Sequence, residues 1–543
     1  MNSVSAYLPR WTKRVSIEEG GRDPLGLSRV SGMITDFLLQ GIITQTYRAR
    51  YYSFYCWAIW HIEQTEPCAE YNEFAAAFQR RDSLFTLASL QFNPNSSPVG
   101  VRVAASRLAD AKKNQEVSCS FQVLPSNQLG AFGQYYTGSI HELGLTSRDE
   151  KGIYHVSPSG ETVARSFHET LLETPYLKKK LFLDNALHWK DFAKTADAFN
   201  LDGLARSPKE RDLLTKLFFS AELKSDRALM RKSSLSMLLY ILNAYEAADV
   251  SVKYGDVWKL VYAPFYYGQL EVSEKKALNI EFPNAEKTCA QFWALFCIHQ
   301  LLTQALENLL SGVLELTSTE VSGLPIDEIC SRLTAEDFLT ELQEIHGLKV
   351  ERPVDLLASL GLTSPRLEPA QRLKTQSTFK LKHPRSESKV LDRESASATG
   401  RTAKAVSLLV MLYAKWHGLN SEVARAVSAQ TGNELHAETV LPFLSQWFDQ
   451  GVSWARGIEP ILSKLILDQH DRIMYEKGKL ESCWLHRTDG RVIKDQDYFP
   501  SFRSPRSDNS VSILTDLGLI SRNSGNQLKL TARGKALLKK VTQ

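Results

Sequence analysis

The sequence predicts a mainly α-helical protein of several domains, with β-structure confined to short hairpins. Three observations lead there. Long stretches, above all residues 176–348, repeat apolar side chains at helical spacing. At 543 residues the chain can hold roughly three or four domains, each with its own core. Hairpin turn chemistry is rare and local, as in Arg487-Thr488-Asp489-Gly490.

Taken in order, residues 1–27 are broken by Pro9, Gly20, Gly21, Pro24 and Gly26. Ser28 can cap a helix running to about Leu39. Residues 47–63, YRARYYSFYCWAIWHIE, form an aromatic helix. Its rings suit a buried core, and the competing reading is a stacking platform beside Arg48 and Arg50. Either way, two arginines at the start of such a helix need partners. Helices follow at 69–92, 101–113 and 128–143, with a loop at 93–100. In the long helical middle, 213–223, 228–248, 258–267 and 289–314 keep an apolar period, and His299 reads as a core histidine bonded to a carbonyl. Residues 402–416, 419–431, 437–449 and 453–476 suggest a bundle.

The expected division is an N-terminal helical domain (1–175), a central helical domain (176–370), a basic flexible linker (371–404), a bundle plus hairpin (405–500) and a basic C-terminal module (501–543). The linker expectation rests on nine basic residues against three acidic ones, with few apolar side chains.

One device occurs twice. ELGLTSRDEKGIYHVSPSGETVAR, Glu142–Arg165, and DLGLISRNSGNQLKLTARGKALLKK, Asp516–Lys540, place their leading and trailing glycines equally far apart. Arg148 and Arg522 fall at the same place in each. A glycine closing a helix, a two-stranded hairpin and a Ser/Thr-capped helix are the implied order. That order resembles the second half of a winged helix-turn-helix, near 128–167 and again at 501–543. A third LGL turn, at 356–366, lacks the second half.

Charge separates the two copies. Arg148, Lys151 and Arg165 face Glu142, Asp149, Glu150, Glu161 and Glu169 in the first. Eight basic residues face only Asp508 and Asp516 across 501–543. Phosphate dominates affinity for DNA, so the second copy is the candidate DNA contact, through Arg503, Arg506, Arg522, Lys529, Arg533 and Lys535.

Seven scattered cysteines without a C-x-x-C pair suggest reduced thiols and a cytoplasmic setting. No run reaches the length of a membrane helix. Phosphate-loop, dinucleotide, zinc-protease and serine-hydrolase motifs are all absent, so no catalytic residue, metal or cofactor is assigned. Asp471, Glu476, Lys477 and Lys479 can be fitted to a nuclease pattern only without the strands such a site needs. The reading that follows is a non-enzymatic, DNA-associated scaffold or sensor subunit with protein partners. By analogy it belongs with prokaryotic assemblies acting on DNA, anti-phage defence among them. The alternatives are a kleisin-like, protein-binding subunit of a chromosome-organising ATPase and a nuclease whose site only folding assembles.

Overall fold

Tyr51, Phe54, Tyr55 and Trp57 leave the second helix no face suited to water, so it belongs at the centre of a core. The computed structural model describes residues 23–542 apart from 221–224, 258–260, 262, 268, 274–275, 280–281, 284–285, 361–386, 418–426, 428–433, 449–450 and 479–482. Every residue from Arg50 to Ile62 is buried in it. Phe54 stacks on Phe85 at 3.9 Å, and Tyr51 meets Tyr136 at 4.9 Å. These rings are spent on each other, which removes the stacking-platform reading.

Burying the helix also buries Arg50, and a buried guanidinium needs a carboxylate and further acceptors. Glu210 supplies two oxygens at 3.1 and 3.2 Å, and the carbonyls of Ala198 and Asn200 accept two more bonds.

The helices up to the chain's middle are α1 (Leu27–Leu38), α2 (Arg50–Thr65), α3 (Tyr71–Phe92), α4 (Val101–Asn114), α5 (Thr137–Glu142) and α6 (Pro158–Glu169). Then come α7 (Pro175–Lys178), α8 (Trp189–Ala196), α9 (Pro208–Phe219), α10 (Asp226–Ala247), α11 (Ala263–Tyr267) and α12 (Lys287–Leu316). The second half adds α13 (Ile326–Leu333), α14 (Glu336–His346), α15 (Pro353–Ser359), α16 (Glu387–Asp392), α17 (Ala398–Trp416) and α18 (Ala437–Phe443). It closes with α19 (Trp454–Ile461), α20 (Asp468–Lys477), α21 (Ser507–Asp516) and α22 (Ala532–Thr542).

The strands are short: β1 (Glu116–Ser118), β2 (Thr146–Arg148), β3 (Tyr154–Val156), β4 (Ala186–His188), β5 (Val252–Lys253) and β6 (Gln269–Ser273). They continue with β7 (Lys276–Asn279), β8 (Leu324–Pro325), β9 (Leu485–Thr488), β10 (Arg491–Lys494), β11 (Ile520–Arg522) and β12 (Gln527–Leu530). The protein is mainly helical with small sheets.

Packing divides the chain into two units, each built from separated stretches. The larger comprises Met33–Ala294 and Ser504–Gln543; the smaller joins the residues up to Gly32 with Leu295–Arg503.

In the smaller unit, α12 carries a polar stripe into the interior. His299 Nε2 lies 2.9 Å from the Leu27 carbonyl, the core role its setting predicts. Glu307 accepts from the Tyr498 hydroxyl at 2.7 Å and the Ser501 amide at 3.0 Å. The Asp489-Gly490 turn joins β9 to β10 with both residues at positive φ, 50° and 72°. β8 adds the third strand of that sheet.

Of the stretch read as a basic linker, 371–386 lie outside the described residues. Residues 387–404 hold α16 and the start of α17, with Arg393 on Glu341 and Arg401 on Glu315. The helix expected at 419–431 and most of the third LGL turn also lie largely outside the described residues.

In the larger unit α6 packs along α2, while β12 and α22 pack on α10. No described helix is long and apolar enough to cross a membrane, and all seven cysteines are free thiols.

Candidate phosphate-contact surface

The repeated device is the same in both copies down to its hydrogen bonds. Gly144 and Gly518 close α5 and α21 at φ 70° and 68°, a left-handed turn that costs a residue with a Cβ. Ser157 Oγ donates to the Gly144 carbonyl at 2.7 Å; Thr531 Oγ1 donates to the Gly518 carbonyl at 2.6 Å. Each hydroxyl then caps the following helix, accepting from Gly160 N and from Gly534 N, both at 3.0 Å. The trailing glycines are fixed by contact. A Cβ at Gly160 would stand 2.0 Å from the Leu145 carbonyl oxygen, and one at Gly534 would stand 2.1 Å from that of Leu519.

The acidic residue heading each motif is matched as well. Glu142 accepts the Gly41 amide at 3.0 Å and Arg227 at 3.0 Å. Asp516 accepts the Ala49 amide and Arg48, both at 2.9 Å. The two copies therefore clasp the two ends of the α1–α2 connection, and Arg48 finds there the partner the sequence demanded.

The second copy is completed from far away in sequence. β11 and β12 pair antiparallel, and β5 joins the free edge of β12 with Lys253 opposite Gln527, giving the order β11-β12-β5. The sheet buries Val252, Ile520, Leu528 and Leu530 on one side. Ser521, Lys529 and Lys253 are exposed on the other. No local pattern in 501–543 announces that strand.

The six basic residues singled out by charge are placed unequally. Arg503 lies in the smaller unit, paired with Glu307, and its amide donates to Gln300 at 2.8 Å. Burial works to lower its pKa, but Glu307 and Tyr498 outweigh burial and hold it above the usual value. Arg506 turns inward to Asp36 and to the Ile42 carbonyl at 2.8 Å. It also occupies the N-cap of α21 at φ 56°, and no side chain caps that helix. Arg533 pairs with Asp212 and Lys535 with Glu246 at 2.7 Å. Arg522 sits 4.0 Å over the Tyr254 ring and donates to Asn526 Oδ1. Lys529 is exposed and forms no ion pair among the described residues.

α21 itself offers little to a DNA groove. Ser507, Asn509, Ser510, Val511, Ile513 and Leu514 are buried, and Asn509 Nδ2 donates to the Thr44 carbonyl at 3.0 Å.

The nuclease pattern does not converge. Asp471 is held by Arg487, Glu476 by Arg29 and Arg472, and the Lys477 ammonium donates to the Asp23 carbonyl. Lys479 lies outside the described residues. His486 meets Asp495 at 2.9 Å, while Asp489 serves the hairpin turn. No protein-family model matches this chain, and neither curated proteins nor solved structures give a match.

Proposed function

We propose that the protein is a non-enzymatic, DNA-associated helical scaffold whose C-terminal module is winged-helix-like and contacts the phosphate backbone by its sheet. The strand order β11-β12-β5, with α10 ahead of β5 and α21 ahead of β11, supports the winged-helix reading. The observation that carries the functional reading is the exposed face of that sheet. Lys253 and Lys529 stand there without ion pairs among the described residues; Arg522, opposite Leu528 in the register, is exposed at the end of β11 on the other side of the sheet, over the Tyr254 ring.

In this reading the buried α21 reads no bases, so contact is to phosphate alone and independent of sequence. The contact set narrows to Arg522 and Lys529, with Lys253 added, because Arg503, Arg506, Arg533 and Lys535 already hold carboxylates.

The test is a titration of the full chain with duplex DNA across a salt series, beside a K253A/R522A/K529A variant. The expected result is a steep log–log salt dependence in the wild type and a slope shallower by about one unit per residue removed in the variant. Absence of binding at low salt, or an unchanged slope, would sink the proposal.

A further inference from the structure

A second basic surface lies elsewhere on the larger unit, in a concave setting. Thr170, Thr174 and Pro175, the lysines of α7 and its flank, and α8 enclose a cleft of about 620 Å³. Four lysines line it, Lys178, Lys179, Lys190 and Lys194, against two carboxylates, Glu173 and Asp191. Lys178 pairs with Glu173 and Lys179 with Asp191, and both lysine side chains are more than half exposed. Lys190 and Lys194 are exposed and form no ion pair among the described residues. The cleft shares Thr170 and Ala198 with a neighbouring one of about 440 Å³, whose cations include Arg206 and Lys209.

We infer that this cleft binds a ligand carrying two or more linked phosphate groups. Its volume falls within the range of small-ligand sites, roughly 300–1,000 Å³, and a recess of that size does not admit a duplex. Ammonium groups are compact point charges that suit tetrahedral phosphate oxygens, whereas a planar carboxylate is matched better by arginine. The two exposed ion pairs are weak, so a multiply charged ligand can draw on all four lysines. Among the lining residues only His188 carries an aromatic ring, and its Nδ1 accepts from the Lys190 amide at 3.2 Å; no Phe, Tyr or Trp offers a broad stacking face, so recognition rests chiefly on the phosphates. The site is separate from the sheet face of the C-terminal module and stands whether or not that face binds DNA.

The experiment is calorimetric titration of the full chain with inorganic tripolyphosphate and, separately, with ATP, at low and at physiological salt. Wild type is compared with K190Q/K194Q and with K529A. Lys190 and Lys194 hold no side-chain hydrogen bond or ion pair among the described residues, so the double variant should fold, which its melting temperature checks. The expected result is saturable tripolyphosphate binding, weaker in higher salt. It should be lowered about tenfold or more by K190Q/K194Q, since two of four ammonium contacts are lost, and unchanged by K529A. ATP equal to tripolyphosphate identifies linked phosphates as the whole determinant; tighter ATP identifies a phosphorylated organic molecule. No saturable binding at millimolar probe, or a double variant that binds like K529A, would overturn the assignment.

Discussion

The two copies of the helix–glycine–hairpin–helix device share a backbone and differ in what their surfaces meet. Ser157 and Thr531 make equivalent pairs of bonds, and Gly160 and Gly534 press on equivalent carbonyls, those of Leu145 and Leu519. The equivalent strand position shows the divergence. His155 of the first hairpin is held by Glu63 of α2 at 2.9 Å and by Asp149 at 3.2 Å. Its counterpart Lys529 points into solvent. At this position the first hairpin is held by side chains of its own unit, whereas the second, although β5 pairs with its edge, presents an exposed lysine. A motif of glycines and hydroxyls sets a shape; its neighbours decide whether that shape is a packing element or a contact surface.

The hardest way to break the likeness is at the trailing glycines. Gly160→Ala and Gly534→Ala each force a methyl group into a backbone carbonyl, which a side-chain rotation cannot relieve. Each should cost about 3 kcal/mol or more in urea unfolding of the full chain, with losses of similar size. A harmless substitution at either position would show that the two copies are not held alike.

The acidic clasps should separate the copies more finely. Asp516→Ala leaves the Ala49 amide without its acceptor and Arg48 with Asp202 as its one carboxylate beside the Leu201 carbonyl, at an expected cost of about 2 kcal/mol. Glu142 is more exposed, and Glu142→Ala should cost about 1 kcal/mol by the same measurement. A reversed order would contradict the burial argument.

pH acts on the first hairpin only. Burial works to lower the His155 pKa, but its bonds to Asp149 and Glu63 prevail and raise it above 6.5. The stabilisation is therefore fully present below pH 6.5 and is lost as pH rises through the raised value. For a side chain this exposed the effect is about 0.5 kcal/mol. Amide hydrogen exchange over residues 146–156, corrected for intrinsic rates, should show protection falling across that window. His155→Gln should abolish the dependence, and the hairpin at 520–530 should show none.

The smallest expected effects are at the second copy's surface. Lys535→Ala breaks an exposed pair with Glu246, and Lys529→Ala breaks none; both should change stability by no more than about 0.5 kcal/mol. Their DNA salt slopes should differ: Lys529→Ala flattens the slope, and Lys535→Ala leaves it nearly intact. Equal slopes would erase the distinction between a free and a paired cation.

Much of the local structure could be read from the chain. The helix over 101–114, the aromatic core helix α2 and the Asp489-Gly490 turn follow from periodicity and turn chemistry. The candidate site was legible only in part. Local charge pointed to 501–543, yet Arg503, Arg506, Arg533 and Lys535 meet Glu307, Asp36, Asp212 and Glu246. Those carboxylates lie hundreds of residues away, and no window of sequence shows such pairing.

The repeated backbone device follows from residue types alone, because positive φ, close approach to a carbonyl and hydroxyl capping are demands on single residue types. Tertiary structure alone decided which cations remain free and that β5 completes the second sheet. It also decided that the chain packs as two interleaved stretches per unit. Ion pairing and strand addition depend on what folding brings alongside, and the charge or hydrogen-bonding edge of one segment carries no record of its distant partner.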